Sequence, residues 1–275
     1  SVILYTRTEF GDYLGNIGLN KYPYLIYLME PIEYNRMDEH EGQMWWYKAT
    51  HAAFLRILKQ FIQDRNGLLL DHGCGTGGLL KKISGVFKDL DLIGLDNNEF
   101  AVSVARQKAG VPIIRGTINS LPLKKDCITC ITSCDVLYHL QVEPLQASRQ
   151  AFDALKEGGI FVVQVPGHPW LMGTHDRQVH TAKRYTRKEL SELLEKAGFQ
   201  VRYCSHRNSL LFPLMIIRRL IVRSEEGESD VTEFPPMVNR LFNFIMRIEL
   251  FIFSLGVTLP FGGSILAVGI KKTQT

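Results

Sequence analysis

The chain has 275 residues, of which 45% are hydrophobic and 22% charged, figures ordinary for a folded α/β domain with additions. A formal net charge of +4 is too small to imply nucleic-acid binding by itself. The five cysteines are odd in number and mostly clustered, and Arg7, Glu9 and Asp12 interrupt the first apolar run. No secretory signal reads there, so the expected setting is reducing and cytoplasmic.

Residues 1–43 are polar and aromatic, with Tyr22, Tyr24 and Tyr27 broken up by Pro23 and Pro31. They read as a loop or short helices able to fold over a pocket. From Met44 to Gln63 apolar residues recur at helical spacing (Trp45, Trp46, Ala49, Ala53, Phe54, Ile57, Leu58, Phe61), which predicts an amphipathic helix. Its aromatic residues, Trp46 among them, either pack on the sheet or line a substrate pocket.

Leu68-Leu69-Leu70-Asp71 reads as a short buried parallel strand. Glycines at 73, 75, 77 and 78 cannot continue it, and Leu79-Leu80-Lys81-Lys82-Ile83 resumes with helical spacing. Strand, glycine turn and helix form the first unit of a doubly wound α/β sheet, with a ligand expected outside the strand's carboxyl end. Glycine allows positive φ there and lets backbone N–H groups approach a ligand. Gly73, Gly75 and Gly78 also satisfy G-x-G-x-x-G, a weak dinucleotide signal on its own. Asp71 through Gly77 resembles the Asp-x-Gly-x-Gly-x-Gly turn of class I S-adenosylmethionine (SAM) methyltransferases. Asp71 separates the two readings. A carboxylate repels a pyrophosphate but favours the α-ammonium and sulfonium of SAM.

The resemblance implies a Rossmann-like seven-stranded sheet with an antiparallel C-terminal strand pair. It further implies that Asp71, Gly73, Cys74, Gly75 and Gly77 hold the amino-acid end of SAM. The Glu41-x-x-x-Trp45-Trp46-Tyr47 start of the long helix is similar to a bacterial subset of the family.

Leu92 to Asp96 is a second strand ending in an acid, 18 residues beyond Gly78. A carboxylate at that spacing accepts ribose hydroxyls, whether of SAM or of NAD. Asn97 can cap the helix from about Asn98 to Lys108. After a third strand at Val111–Arg115, Gly116 to Leu123 resembles the family's Gly-Asp-x-x-x-Leu-Pro-Phe segment. Thr117 stands where the family places the acid that bonds adenine, so that contact is weakened. Thr117, Ile118 and Cys134 fall where the family's adenine and methionine chain lie.

Cys127, Cys130 and Cys134 lie along the fourth strand, whose alternation turns them to different faces, so no metal is expected. The strand opens into Cys134-Asp135-Val136-Leu137-Tyr138-His139-Leu140. This chain has neither the Asn/Asp-Pro-Pro-Tyr/Phe motif of amino-methylating DNA enzymes nor a Pro-Cys nucleophile, which disfavours nucleic-acid bases. Leu-Tyr-His-Leu resembles small-molecule methyltransferases of the class. His139 is either a packed core histidine or a group that deprotonates or orients the acceptor. Tyr138 lies beside it. A helix follows from Glu143 to Lys156, then a fifth strand at Ile160–Val165.

The loop 166–185 carries His168, His175, Asp176, His180, Lys183 and Arg184, as a functional lid would. Its histidine spacing fits no tight metal pattern, and hydrogen bonds to a polar or anionic acceptor suit it better. Thr186-x-x-Glu189 is a capping box, followed by sixth and seventh strands at Phe199–Ser205 and Ser264–Ile270.

Between those strands lies an insertion. Leu210–Val222 is apolar and ends in Arg218, Arg219 and Arg223, with an acidic turn at 224–230. Met237–Leu255 is a helix with one narrow polar stripe (Arg240, Asn243, Arg247, Ser254). Glu249 falls opposite that stripe, so it is either paired with an arginine or serves the substrate. The uncharged run Leu250–Ile270 is broken by Gly256, Pro260, Gly262 and Gly263. A helical cap or a monotopic membrane contact accounts for it better than a span.

The expected division is an N-terminal lid (1–43), a SAM-binding core (44–208), a helical cap (209–260) and the last strand with its tail (261–275). The expected function is SAM-dependent methyl transfer to an O, N or C nucleophile of a small-molecule or lipid-linked acceptor. Alternatives are a non-catalytic SAM-binding protein and an NAD-dependent oxidoreductase.

Overall fold

Strand β1 (Leu68–His72) is buried on both faces, as its run of leucines requires. It pairs in parallel with β2 (Asp91–Asp96) and β4 (Ile128–Cys134), which sets Asp71 between Gly94 and Thr132. The sheet order is β3-β2-β1-β4-β5-β7-β6, where β3 is Ile113–Arg115, β5 Leu155–Pro166, β6 Gln200–Arg207 and β7 Ser264–Ile270. The last strand, β7, runs antiparallel to both of its neighbours, β5 and β6. The chain turns from one half of the sheet to the other between β1 and β4. A ligand crevice belongs at such a switch point. The computed structural model describes residues 31–64, 66–173, 176, 180–221 and 234–272. Tyr22, Tyr24, Tyr27, His175, Arg223 and the acidic turn 224–230 lie outside the described residues, as do the side chains of Arg218 and Arg219.

Helices cover both faces. On one, α2 (Trp45–Phe61), α3 (Gly78–Val86) and α4 (Glu99–Ala109) bury Phe54, Ile57, Leu80, Ile83 and Ala105 against Leu69, Cys130 and Val162. On the other, α5 (Pro144–Ala154) and α6 (Arg187–Lys196) bury Ala147, Ala151, Leu190 and Leu194 against Leu70, Ile131 and Phe161. Fully burying one such large side chain contributes about 1.5–3 kcal/mol, so the two layers supply most of the fold's stability.

Three local expectations shift. Asn98, not Asn97, caps α4 by accepting the Ala101 N–H, because Asn97 turns towards Gln141. The helix expected to Lys156 stops at Ala154: Leu155 already pairs with Ile128, and a bulge takes up the residues before Ile160. The sixth strand runs on to Arg207, since its last residues still find partners on β7. The capping box of Thr186 and Glu189 forms as expected.

Among the described residues the insertion holds two helices, α7 (Phe212–Ile221) and α8 (Pro236–Ser254), tied to the core by polar groups that serve as helix caps from a distance. Asn239 of α8 accepts the Trp45 N–H at 2.8 Å and donates to the Gln43 carbonyl, completing the first turn of α2. Glu249 of α8 accepts the N–H groups of Asn208, Ser209 and Leu210 just before α7. Between these ties Ala49, Leu211 and Met246 form a small apolar cluster edged by Trp45 and Phe242. Among the described residues no helix is long and apolar enough to cross a membrane.

Candidate active site

A cavity of about 620 Å³ opens at the carboxyl ends of β1, β2 and β4. Its floor is the turn after β1. Gly73, Gly75 and Gly77 hold φ of +86°, +52° and +83°, which explains three of the glycines. A Cβ on Gly73 would lie 2.5 Å from Val136, so only hydrogen fits where the turn passes under the β4 loop.

Two buried carboxylates flank this floor. Asp71 accepts the Thr132 hydroxyl at 2.7 Å, and burial pushes its carboxyl up to about 7. Asp96 accepts the N–H groups of Gly75 and Asn98, both at 2.9 Å, which pins the turn to the end of β2. Burial raises its carboxyl too, against those hydrogen bonds. Among the described residues neither makes an ion pair, and the two form an acidic lining suited to an ammonium and to hydroxyls. Cys74 lies between them, its thiol pushed up by burial and by both carboxylates.

Helix α1 (Pro31–His40) closes this end. Tyr34 stands near Asp96, and Met37 approaches Gly75. Glu41 pairs with Lys108 of α4 and packs against Gly78, where a Cβ would clash with its carboxylate. Along the side wall lie Asn97, Thr117 and Ile118. Asn97 donates to Gln141, Thr117 accepts the Asn119 N–H, and Ile118 is buried.

At the end of β4 the cavity turns polar. Asp135 sits there with φ +57° and accepts the Gln164 amide at 2.8 Å. Burial pushes its carboxyl up to about 6. Tyr138, His139, Asp176, His180 and Arg184 share this wall. The Arg184 guanidinium bonds Asp176 at 2.8 Å and the Gly167 carbonyl at 3.1 Å, and both side chains are buried. Much of the remaining wall is apolar, with Trp45 and Trp46 from α2, Leu211, Leu214 and Met215 around α7, and Phe234 and Phe242 at α8, while His51, Asn208 and Ser264 add polar groups to it.

A family model described as "Methyltransferase domain" matches residues 30–203. The chain belongs to the class I SAM-dependent methyltransferases. A relative from Mycolicibacterium smegmatis, named for S-adenosylmethionine-dependent methyl transfer, is 32% identical over 161 residues, covering 57% of this chain and 60% of its own length. The sterol 24-C-methyltransferase of Candida albicans is 24% identical over 177 residues, covering 56% of this chain and 45% of its own. The match thus spans about half of these curated relatives. Among solved structures, a chain of the complex between the Haloferax volcanii Trm112 methyltransferase activator and a methyltransferase has a TM-score of 0.60 at 21% identity, covering 89% of this chain and 96% of its own. That likeness concerns the fold.

Of the residues singled out in the sequence, this methyltransferase brings most to one cavity: Asp71, Gly73, Cys74, Gly75, Asp96, Asn97, Thr117, Ile118, Cys134, Trp46, Tyr138, His139, His180 and Arg184. Three lie elsewhere. Gly77 starts α3 and packs on Ala105 of α4, so it shapes the turn without facing the cavity. His168 stacks on His206 at 4.9 Å and on Phe212 at 4.8 Å, outside the cavity lining. Glu249 is consumed by three backbone N–H groups and by Arg207, so it is structural and not available to a substrate.

The structure also adds residues. Asp135 is the chief one, and its signal is present: an acid at the carboxyl end of a strand, as Asp96 is at the end of β2. Asp176, already among the polar residues of its loop, gains its partner Arg184 only in the fold, and Tyr34 becomes legible only through the fold-back of α1.

Proposed function

We propose that this chain transfers the methyl group of SAM to a small acceptor with an apolar body, lipid-linked in the natural case. The observation that supports it most directly is the division of a single cavity. Its acidic, glycine-floored end suits the family's cofactor, and its far end is a wall of aromatic and aliphatic side chains from α2, α7 and α8. SAM, when bound, supplies an electrophilic methyl on a sulfonium that leaves as a neutral thioether.

The chain's own residues do the rest. Asp71 and Asp96 receive the cofactor's ammonium and ribose hydroxyls, with Cys74 and Cys134 beside them. Asn97, Thr117 and Ile118 border the adenine. Asp135, ionised above about pH 6, takes the proton that the acceptor loses as its new bond to carbon forms. His139, Tyr138, His180 and Arg184 orient the acceptor's polar head, while Trp46 and the α7–α8 wall hold its body and exclude water. Alignment in a dry site supplies most of the acceleration. The sterol methyltransferase among the relatives favours an apolar acceptor.

The test is transfer of labelled methyl from SAM into an organic-extractable fraction of bacterial lipids, followed by mass spectrometry of the product. Label confined to water-soluble acceptors would overturn the apolar reading. SAM binding without any transfer would favour a SAM-binding protein that lacks catalysis.

A further inference from the structure

Helix α8 spans 19 residues, about 28 Å at 1.5 Å per residue. Along it Met237, Leu241, Phe244, Ile248, Phe251 and Leu255 are exposed by 84, 55, 60, 43, 64 and 65%. Their spacing of four, three, four, three and four residues puts all six in one stripe. The opposite face is the one that packs on the core, through Met246, Glu249 and Phe253. Among the described residues nothing covers the stripe, which is longer than an isolated exposed leucine or two would make.

Its charge decides the occupant. Arg240 and Arg247 flank the stripe on one side, both exposed, and neither makes an ion pair among the described residues. The helix carries a single acid, Glu249, which is buried. A second copy docking through this face would meet the two arginines with no exposed carboxylate on α8. An anionic lipid surface satisfies both halves of the pattern, apolar side chains below the headgroups and guanidinium groups among them.

The cavity is bordered by both inserted helices, through Phe242 of α8 and Leu214 of α7. Leu214 of α7 lines the cavity and is also 48% exposed, with Ile217 exposed one turn further on. We propose that the outer face of α8 seats the protein on an anionic bilayer, so that an acceptor enters the cavity past α7 directly from the lipid. Docking stands on α8 alone. The route of entry rests on the apolar-acceptor reading above and deepens it by naming the phase that supplies the substrate.

The test is flotation of the full chain with phosphatidylcholine vesicles, with and without phosphatidylglycerol, alongside its mass in solution by light scattering. The expected result is co-flotation with the anionic vesicles, loss of it in F244D/F251D, and about thirtyfold weaker binding in R240Q/R247Q. A thermal melt shows that each variant is folded, and both substitutions lie on the exposed face. A dimer that F244D/F251D disperses, with no flotation of the parent, would overturn the proposal in favour of self-association. No flotation together with turnover of an apolar acceptor in detergent would overturn docking and leave the acceptor reading intact. Flotation with turnover only of water-soluble acceptors would do the reverse.

Discussion

Glu249 and Arg207 form a buried charge pair, 3.6 Å apart, that joins the inserted helix α8 to the end of β6. Arg207 also lies over the Phe253 ring, with its guanidinium carbon 4.6 Å from the centroid. The carboxylate does double duty, since the chain enters α7 by donating three successive N–H groups to it. Glu249→Ala would leave a buried guanidinium uncompensated and the N–H groups without an acceptor. The expected loss is about 3–5 kcal/mol in urea unfolding. Glu249→Gln, which keeps the acceptor oxygen, should lose less. Equal stability in all three proteins would show that the tie is not a structural one.

Asp71 should make cofactor affinity depend on pH. In the free protein burial holds its carboxyl at about 7, well above its ordinary value of 3.8. An ammonium beside it favours the ionised form, so binding releases a proton wherever the free carboxyl is protonated. SAM should therefore bind more tightly as the pH rises from 6 to 8. Asp71→Asn should bind more weakly and without that slope. Calorimetry in buffers of different ionisation enthalpy reads the released proton directly, and a flat profile in the parent would count against the assignment.

Asp96 bonds both the glycine turn and the start of α4, at Gly75 and Asn98. Asp96→Ala should weaken SAM binding by about 1.5–3 kcal/mol, the range for hydrogen bonds to a charged group. It should also lower the melting temperature of the free protein, because two N–H groups lose their acceptor. Unchanged affinity in a folded Asp96→Ala protein would refute the ribose role.

Asp135 should set the acid limb of the rate. Its carboxyl is raised to about 6 by burial, with Gln164 pulling the other way, and only the ionised form takes a proton. The rate should then fall as the pH drops through about 6. Asp135→Asn should lower kcat about a hundredfold or more, remove that limb and leave SAM affinity nearly intact. His139→Gln, by contrast, should raise KM for the acceptor and keep the limb. A limb that persists in Asp135→Asn but vanishes in His139→Gln would exchange the two roles.

The sheet, the glycine turn and its two acids were legible in the residues because their causes are local. A run of leucines needs burial on both faces, Gly73 and Gly75 need positive φ, and an acid after a strand lands at the sheet's carboxyl edge. Such constraints act within a few residues, so the chain shows them in its spacing. Side-chain destinations across long separations are a different matter. Glu249 showed only that it required a partner. That Arg207 and three N–H groups some forty residues away would provide it depends on how α8 docks. His168 and His180 looked alike in one loop, yet the first stacks on β6 and the second reaches the cavity. Asp135 shows in the sequence as an acid after a strand, but its burial and its bond to Gln164 of β5 do not. A carboxylate's role depends on its burial and partners, and those are set by packing between elements that periodicity does not encode.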